Sequence, residues 1–369
     1  MPDDAWLALL HAARASCKPW RTALRAAGSI EALRTKSRRE LASFGIDSAA
    51  LHAWRSPDGA ALARWRDWLD RPQHALVTLG SAAYPQRLAE IDDAPLALWA
   101  RGAGLDLLNS PQLAIVGSRN PTTAGRMTAE SFACYFAASG VTVASGLAMG
   151  IDAAAHRGAL QGVASTVAVL GCGIDVTYPR CNASLAHAIT QSGVIVSEYP
   201  PGTPARAHRF PQRNRIIAGL TLGTLVVEAT RRSGSLITAR HAANYGREVF
   251  AIPGSIHNPL ARGCHALIRD GAKLVEEGGD VLIEFAPLLG HELAVAAAAA
   301  SAATEPLDLD ATYASLVKRI GHSPITLVDL MNDAGLTAAE LSSMLLVLEF
   351  EGHIEALPGG RYCRLAKRS

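Results

Sequence analysis

Six short apolar runs recur through the middle of the chain, and they limit its fold more than any other feature. A stretch with helical spacing follows most of them. The runs are QLAIVGS (112–118), VTVASG (141–146), STVAVLG (165–171), GVIVSE (193–198), GTLVVEA (223–229) and REVFAIPG (247–254). Apolar strands that alternate with helices are typical of a parallel sheet covered on both faces. The sequence predicts a Rossmann-like, doubly wound, mostly parallel α/β domain over 76–290.

The helices of this domain are expected between the strands. Their predicted ranges are 122–139, 149–161, 181–192, 212–220 and 234–245.

The flanking segments predict two smaller modules. Residues 1–75 have short helical stretches broken at Gly28 and Gly45, which indicates a small helical domain of the helix-hairpin-helix or SAM-like kind. Its glycine turn and nearby basic residues fit contact with DNA phosphate, and a purely structural packing domain fits equally well. Residues 291–308 are an alanine-rich linker.

The last segment, 309–369, predicts a winged-helix-like domain: a helix, a turn, a second helix capped by Thr337, and two short strands. A helix that reads DNA carries basic or amide side chains. Here the second helix carries acids and serines instead. They are Glu340, Ser342, Ser343, Glu349 and Glu351. We therefore expect this domain to contact protein rather than DNA.

Composition narrows the class of protein. The start of the chain is acidic and lacks the basic region of a signal peptide, and the alanine-rich stretch 293–303 is too short to span a bilayer. A cytosolic protein is expected. Its six cysteines have no CxxC spacing, so we expect reduced thiols and no metal site.

Positive charge is concentrated in one segment. The whole chain has a net charge of +2, yet residues 206–247 contain eight arginines and one acid, Glu228, a local net charge of +7. Such a concentration indicates an anionic ligand, with a solvated face as the alternative.

Small and polar residues follow the predicted strands where ligands of open parallel sheets bind. The stretch LAIVGSRNPTTAG (113–125) ends a strand at Gly117, Ser118 and Arg119 and then opens a helix. Free N–H groups at a helix N-terminus hold phosphate. Gly146 and the pair Gly234-Ser235 open two further helices in the same way. The three loops together predict a phosphate-binding crevice, although glycine in each one is also explained by turn geometry.

The segment RAHRFPQRNRIIAGL (206–220) carries the strongest signal for nucleic acid. Arg209, Arg213 and Arg206 are expected to share a helix face beside an exposed Phe210. Guanidinium groups bind phosphates and a flat ring stacks on a base, the combination that single-stranded nucleic acid requires. Alternatively, Phe210 packs into the core and anchors this segment there. For Arg215, which is also placed at the site, the alternative is a buried ion pair with Glu198 or Glu228.

Several enzyme classes lack their motifs. There is no P-loop before Lys273, the one lysine of 76–290, and no GxSxG or HExxH motif. His156 has no evident catalytic partner and is expected to be structural.

Taken together, the motifs resemble the DprA/Smf family of bacterial DNA-processing proteins. The matching stretches are GSR (117–119), SGLAMGID (145–152), AVLGCGIDVTYP (168–179), SEYPPG (197–202), FPQRNRIIAGL (210–220), VVEATRRSGSLITA (226–239) and FAIPG (250–254). The resemblance implies a dimeric, non-catalytic protein without a cofactor that binds single-stranded DNA entering by natural transformation, protects it and loads RecA onto it.

The resemblance also implies site residues. The DNA pocket would include Arg119 and the segment around Phe210, Arg213 and Asn214. Many family members have a lysine shortly before the FPxRNR motif. Here we expect Arg209 to take that role, with Arg206 as the second choice.

Two other functions stay open at this point. The wider superfamily includes nucleoside-monophosphate hydrolases, and Gly223, Thr224 and Glu228 are similar to their glycine–threonine–glutamate site, although the spacing differs. The Rossmann pocket is also suited to sensing a free nucleotide while DNA binds elsewhere.

Overall fold

The computed structural model describes residues 4–14 and 16–289 and isolated positions in the C-terminal part. Those positions are 316, 320, 325–326, 330, 341, 344–345, 348, 354–357 and 361–364. The chain divides into two compact units, 1–298 and 299–369.

The first unit is built on a nine-stranded sheet. In chain order the strands are β1 (His74–Thr78), β2 (Ala97–Arg101), β3 (Gln112–Val116), β4 (Thr142–Ser145), β5 (Thr166–Leu170), β6 (Val194–Ser197), β7 (Gly223–Val226), β8 (Glu248–Ala251) and β9 (Lys273–Leu274). Their order across the sheet is β1-β2-β6-β5-β4-β3-β7-β8-β9. The strands from β6 to β9 in this order are parallel, and β2 pairs antiparallel with both β1 and β6. The predicted doubly wound, mostly parallel sheet is confirmed, and β1 and β2 extend it at one edge.

Within the described residues, six α-helices precede the first strand of this sheet and eight lie between or after its strands. They are α1 (Asp4–Ala12), α2 (Lys18–Ala27), α3 (Ile30–Thr35), α4 (Arg38–Ser43), α5 (Ser48–Arg55), α6 (Gly59–Leu69), α7 (Gln86–Ala89), α8 (Thr123–Ala138), α9 (Ile151–Ala159), α10 (Ala183–Ser192), α11 (Arg209–Leu220), α12 (Ser235–Asn244), α13 (Arg262–Arg269) and α14 (Gly278–Leu289). The five helices predicted between the strands correspond to α8 to α12. Helix α11 begins at Arg209, three residues before the predicted start.

The chain reverses its direction across the sheet at β3. After β3 it adds β4, β5 and β6 on one side, and then crosses to β7 on the other side, where Val116 pairs with Val226. The carboxyl ends of β3 and β7 therefore flank a topological switch point, the usual place for a ligand in such sheets.

Alternate residues of each central strand enter different cores, which explains why the strands are apolar on both faces. Ala114 and Val116 pack on one face with residues of α11 and α12. Leu113 and Ile115 pack on the other face with residues of α8, α9 and α14. The site is thus carried on a sheet that is rigidly packed from both sides.

The N-terminal helices share a core with the sheet. Trp65 and Trp68 of α6 make edge-to-face contacts with Trp99 of β2, at ring-centroid distances of 5.4 and 5.7 Å. Gly28 ends α2 in the left-handed conformation, at φ 81°. The domain boundary expected near residue 75 lies inside the first compact unit.

The second unit contains a three-stranded antiparallel sheet. Its strands are β10 (Ile325–Thr326), β11 (Ile354–Leu357) and β12 (Arg361–Arg364), in the order β10-β12-β11. Buried Leu330, Leu341 and Leu348 belong to its core. The linker at 291–308 and the residues on which we based the predicted role of the second helix, Thr337, Glu340, Ser342, Ser343, Glu349 and Glu351, lie outside the described residues.

Among the described residues, no helix is both long and apolar enough to cross a membrane. The same part of the chain has no cluster of three His, Cys, Asp or Glu side chains able to hold a metal ion. Cys17, Cys134, Cys172, Cys181 and Cys264 are free thiols.

Candidate nucleic-acid interface

An open cleft of about 360 Å³ lies at the switch point, beyond the carboxyl ends of β3 and β7. Most of the predicted site residues line it. They are Gly117, Ser118, Arg119, Phe210, Arg213, Asn214, Gly234 and Ser235. The other four, Gly146, Arg206, Arg209 and Arg215, lie elsewhere.

The loop after β3 is held firmly by its neighbours. The Ser118 N–H donates to the carbonyl of Glu228 at 2.6 Å, and the Ser118 carbonyl accepts from Ile151 N–H at 3.1 Å. Gly150, at φ 82°, lies so close that a side chain there would overlap the carbonyls of Ser118 and Arg119. This packing fixes the backbone from which the exposed side chain of Arg119 projects.

The N-terminus of α8 is already occupied by a carboxylate. Glu228, which is 8% exposed, accepts hydrogen bonds from Thr122 N–H (2.9 Å to Oε2) and from the Thr122 hydroxyl (2.8 Å to Oε1). Gly125 lies against the same carboxylate and has no room for a side chain. Glu228 places a negative charge at this end of the helix, and Gly125 N–H donates to the Thr122 hydroxyl at 2.9 Å, so the start of α8 is unfavourable for phosphate and the expectation that its free N–H groups hold one is wrong.

Arg213 lies beneath the cleft rather than on its surface. Its side chain is buried, 4% exposed, and Nη1 donates to the carbonyl of Val169. A side chain on Gly146 would overlap the Arg213 guanidinium. The role of Gly146 in this structure is therefore to make room for Arg213.

Asp152 gives Arg213 an opposite charge within the same buried region. Its Oδ2 accepts from the N–H groups of Gly146 (3.2 Å) and Ala148 (3.4 Å). Burial raises the pKa of Asp152 and lowers the pKa of Arg213, and each charge partly offsets the shift of the other.

Phe210 is half-buried at the mouth of the cleft. Part of the ring is therefore accessible, as expected for stacking, and part is packed, as expected for an anchor. Its ring packs on Gly171, where an added side chain would lie 2.9 Å from Cδ1. The ring of Tyr178 is 5.2 Å away between centroids, and Arg119 Cζ lies 5.9 Å from the Phe210 centroid. A guanidinium thus lies within cation–π range of an accessible aromatic pair.

The far wall of the cleft is the start of α12. Asn214 Nδ2 donates to the carbonyl of Gly234 at 3.2 Å and so joins α11 to this wall. The hydroxyls of Ser233 and Ser235 are 2.7 Å apart. With Thr230 and Thr238 they add hydroxyl groups to the lining.

Helix α11 separates this cleft from a second cavity of about 620 Å³. Phe210, Arg213 and Asn214 line the cleft, whereas Arg209 and Arg215 line the second cavity. The prediction that Arg209 and Arg213 share a face is therefore wrong. At the first position of the helix, Arg209 Nη1 donates to the carbonyl of Pro204 (2.7 Å) and its Cζ lies 4.8 Å from the Tyr199 ring centroid.

Arg215 forms the ion pair that we gave as its alternative role. Its Nη2 lies 2.6 Å from both oxygens of Glu198, and both side chains are largely buried, at 14% and 13% exposed. Asp93 is a second, more exposed partner at 3.5 Å. Burial opposes the charge of Arg215, but the two carboxylates outweigh it and raise its pKa. Arg206 is exposed.

His156 is structural, as predicted. It is fully buried, its Nε2 accepts from Leu147 N–H at 3.2 Å, and its Nδ1 lies 2.7 Å from the Thr166 hydroxyl. That hydroxyl donates to the carbonyl of Val143, so Nδ1 carries the proton. Burial lowers the pKa of His156 to about 3.

The residues similar to the hydrolase motif do not converge on the cleft. Gly223 lies against Phe250 within β7, and Thr224 is fully buried in the same strand. Glu228 is engaged at the start of α8. The sequence patterns did not single out Tyr178, Thr230 or Thr238, although all three lie within the matched stretches 168–179 and 226–239, which was an available signal.

Two family models match the chain. The model described as DNA recombination-mediator protein A matches residues 75–286, and the DprA winged helix domain matches 298–360. The second match identifies the C-terminal unit as the predicted winged helix.

Curated relatives and solved structures indicate the same family as the two models. The chain is 43% identical over 302 residues to protein Smf of Escherichia coli, which covers 81% of this chain and 80% of that protein. It is 50% identical over 202 residues to DNA processing protein DprA of Streptococcus pneumoniae, covering 55% of this chain and 71% of the relative.

The crystal structure of the Streptococcus pneumoniae DprA matches with a TM-score of 0.69 at 37% identity, over 78% of this chain and 99% of that one. A Helicobacter pylori DprA structure, described as showing a single-stranded DNA binding mode, matches with a TM-score of 0.52 at 28% identity, over 57% and 95%. The chain therefore belongs to the DNA recombination-mediator protein A (DprA/Smf) family.

Proposed function

We propose that this protein binds single-stranded DNA in the cleft at the switch point, protects incoming transforming DNA and loads RecA onto it. The observation that carries the proposal is the exposed guanidinium of Arg119 beside the accessible ring of Phe210, 5.9 Å from its centroid. The function needs a binding surface and no reaction of the bound strand.

The two side chains suit the two parts of a nucleotide. A guanidinium donates several hydrogen bonds to one phosphate, and a flat ring stacks on any base. Phe210 stacks only on a base that is free of its partner strand, so the pairing favours single strands over duplex. The charge of buried Arg213 is offset by Asp152, which also lines the cleft, so exposed Arg119 is the main source of positive potential there. The hydroxyl groups of Ser233 and Thr230 are available to the phosphate or sugar.

Arg206 and Arg209 stay in the proposal as flanking contacts. Arg206 is exposed, and Arg209 lies on the opposite side of α11 from the cleft, so a strand must pass the N-terminus of that helix to reach both. Arg215 is left with a structural role, because its charge is taken up by Glu198.

The relatives support the proposal. The Helicobacter pylori structure is described as showing a single-stranded DNA binding mode, and the family description names a mediator of recombination. We further propose that the protein transfers the bound strand to RecA, that it forms a homodimer, and that it acts in the cytoplasm. The winged helix is proposed to contact a protein partner. RecA-dependent strand exchange with and without the protein, and its mass in solution, test these parts.

The binding proposal is tested by titrating labelled oligo-dT, duplex DNA and free AMP over a salt series. We expect preference for oligo-dT and a log–log salt slope of about −0.7 per phosphate contact. Equal affinity for duplex, or release of base from AMP, would overturn the proposal.

A pair of arginine variants localises the site. Arg119→Ala should weaken oligo-dT binding and make the salt slope shallower by about 0.7, the value for a single phosphate contact. Arg269→Ala is the control, because it removes an exposed arginine at the end of α13 that does not line the cleft. Normal binding by Arg119→Ala would remove this cleft from the proposal.

A further inference from the structure

A second concavity of about 400 Å³ adjoins the cleft, and Arg119 lines both. Two more arginines line it, Arg126 of α8 and Arg157 of α9. Neither belongs to the arginine-rich segment 206–247, and the charge pattern of the sequence did not reveal them.

Few of the described carboxylates lie close enough to neutralise the three guanidinium groups. One ion pair joins Arg157 Nε to Glu130 Oε2 at 3.8 Å, with side chains 46% and 39% exposed, so solvent screens it strongly. Arg126 Nη2 is 3.3 Å from the Thr123 hydroxyl. Within the described residues, Arg119 and Arg126 have no carboxylate within 4 Å. Three like charges around one concavity favour an anion there.

The backbone that carries these arginines is closely packed. Helices α8 and α9 approach so tightly that a side chain on Gly158 would overlap the carbonyl of Glu130. The loop that carries Arg119 is fixed against Gly150 by the packing described above. The three side chains therefore project from a rigid platform, and an anion bound there does not need the backbone to reorganise.

We propose that this concavity is a second phosphate subsite for the same DNA strand. The strand leaves the cleft past Arg119, and a neighbouring phosphodiester lies between Arg126 and Arg157. Met149, which is 46% exposed on the lining, offers an apolar surface to the sugar or base between the two phosphates. The inference rests on the proposed function, because it extends the path of the strand bound in the cleft.

Oligomer length separates the subsite from the cleft. Oligo-dT of about 4 and about 16 nucleotides, the range of site sizes in single-strand-binding modules, is titrated over a salt series. The double variant Arg126→Ala/Arg157→Ala should bind the short oligomer like the wild type and the long one about tenfold more weakly. Its salt slope for the long oligomer should be shallower by about 0.7 for each phosphate that the variant no longer neutralises.

Two further variants control for charge. Arg262→Ala/Arg269→Ala removes the same charge from exposed positions that lie outside 206–247 and line neither the cleft nor the concavity, and should bind both oligomers normally. Glu130→Gln removes the opposing carboxylate and should tighten binding of the long oligomer alone.

An unchanged long-oligomer affinity and salt slope in Arg126→Ala/Arg157→Ala would overturn the subsite and leave the cleft intact. Absence of oligo-dT binding by the wild-type protein would overturn the proposed function, and the subsite with it.

Discussion

Glu228 and Thr122 are joined by two hydrogen bonds, of 2.9 Å to the backbone N–H and 2.8 Å to the hydroxyl, although 106 residues separate them in the chain. The carboxylate lies at the N-terminus of α8, where Rossmann-like proteins commonly hold a phosphate. An anion bound in the cleft, as we propose, is therefore held by side chains such as Arg119 rather than by this helix.

Glu228→Gln is expected to destabilise the fold. The amide can still accept from the Thr122 N–H and donate to the Thr122 hydroxyl, but it loses the negative charge that strengthens both bonds and interacts favourably with the helix N-terminus, which costs about 1–2 kcal/mol. Urea unfolding measures the change. Neither the wild type nor Glu228→Gln should hydrolyse AMP. Hydrolysis by the wild type that is lost in Glu228→Gln would instead support the hydrolase alternative.

Local sequence patterns were enough to predict six of the nine strands, β3 to β8, and the position of Arg119 after β3. The apolar runs are continuous because each strand is buried on both faces, and a loop after such a strand necessarily lies at the ligand edge of the sheet. The pairing of Glu228 with Thr122 was not accessible in this way, since it depends on β7 lying beside β3. Arg209 and Arg213 are four residues apart in α11, so helical spacing alone predicts a shared face. They separate because the Arg209 side chain turns to Pro204 and Tyr199 whereas that of Arg213 turns to the Val169 carbonyl, and spacing does not predict these directions.

Two substitutions should show whether glycine is required because a neighbouring group leaves no room for a side chain, or only fits the turn. Gly146→Ala places a methyl group against the buried Arg213 guanidinium and should cost about 1–3 kcal/mol of stability, as overpacking does. Gly234→Ala meets no atom within 4 Å and has a negative φ of −62°, so its stability should change by less than about 0.5 kcal/mol. Chemical denaturation of both variants measures this, and equal stabilities would show that Gly146 does not make room for Arg213.

Arg215→Ala should act on stability and not on DNA contacts. Removing Arg215 leaves the largely buried carboxylate of Glu198 without its strongest partner, which costs about 3–5 kcal/mol. The double variant Arg215→Met/Glu198→Leu removes both charges and should recover most of that loss. Under conditions where each variant is folded, the salt slope for oligo-dT should equal that of the wild type. A shallower slope would place Arg215 among the phosphate contacts.

His156 should make the protein sensitive to mild acid. Its pKa is lowered to about 3 in the fold by burial, against 6.5 as the ordinary value, so between these pH values the unfolded chain binds a proton that the native state does not. Stability therefore falls as the pH drops below 6.5, with a loss from this residue of about 2 kcal/mol between pH 7 and pH 5.

The variant His156→Gln tests this, because glutamine stays neutral and can still accept from Leu147 N–H. Urea unfolding at the two pH values should show a pH dependence smaller by about 2 kcal/mol in the variant. His11, His74 and His241, whose pKa values burial also lowers, are present in both proteins and cancel in the comparison. The same pH dependence in both proteins would mean that His156 takes up a proton in the native state as readily as in the unfolded chain, and would contradict the role of Nε2 as acceptor from Leu147 N–H.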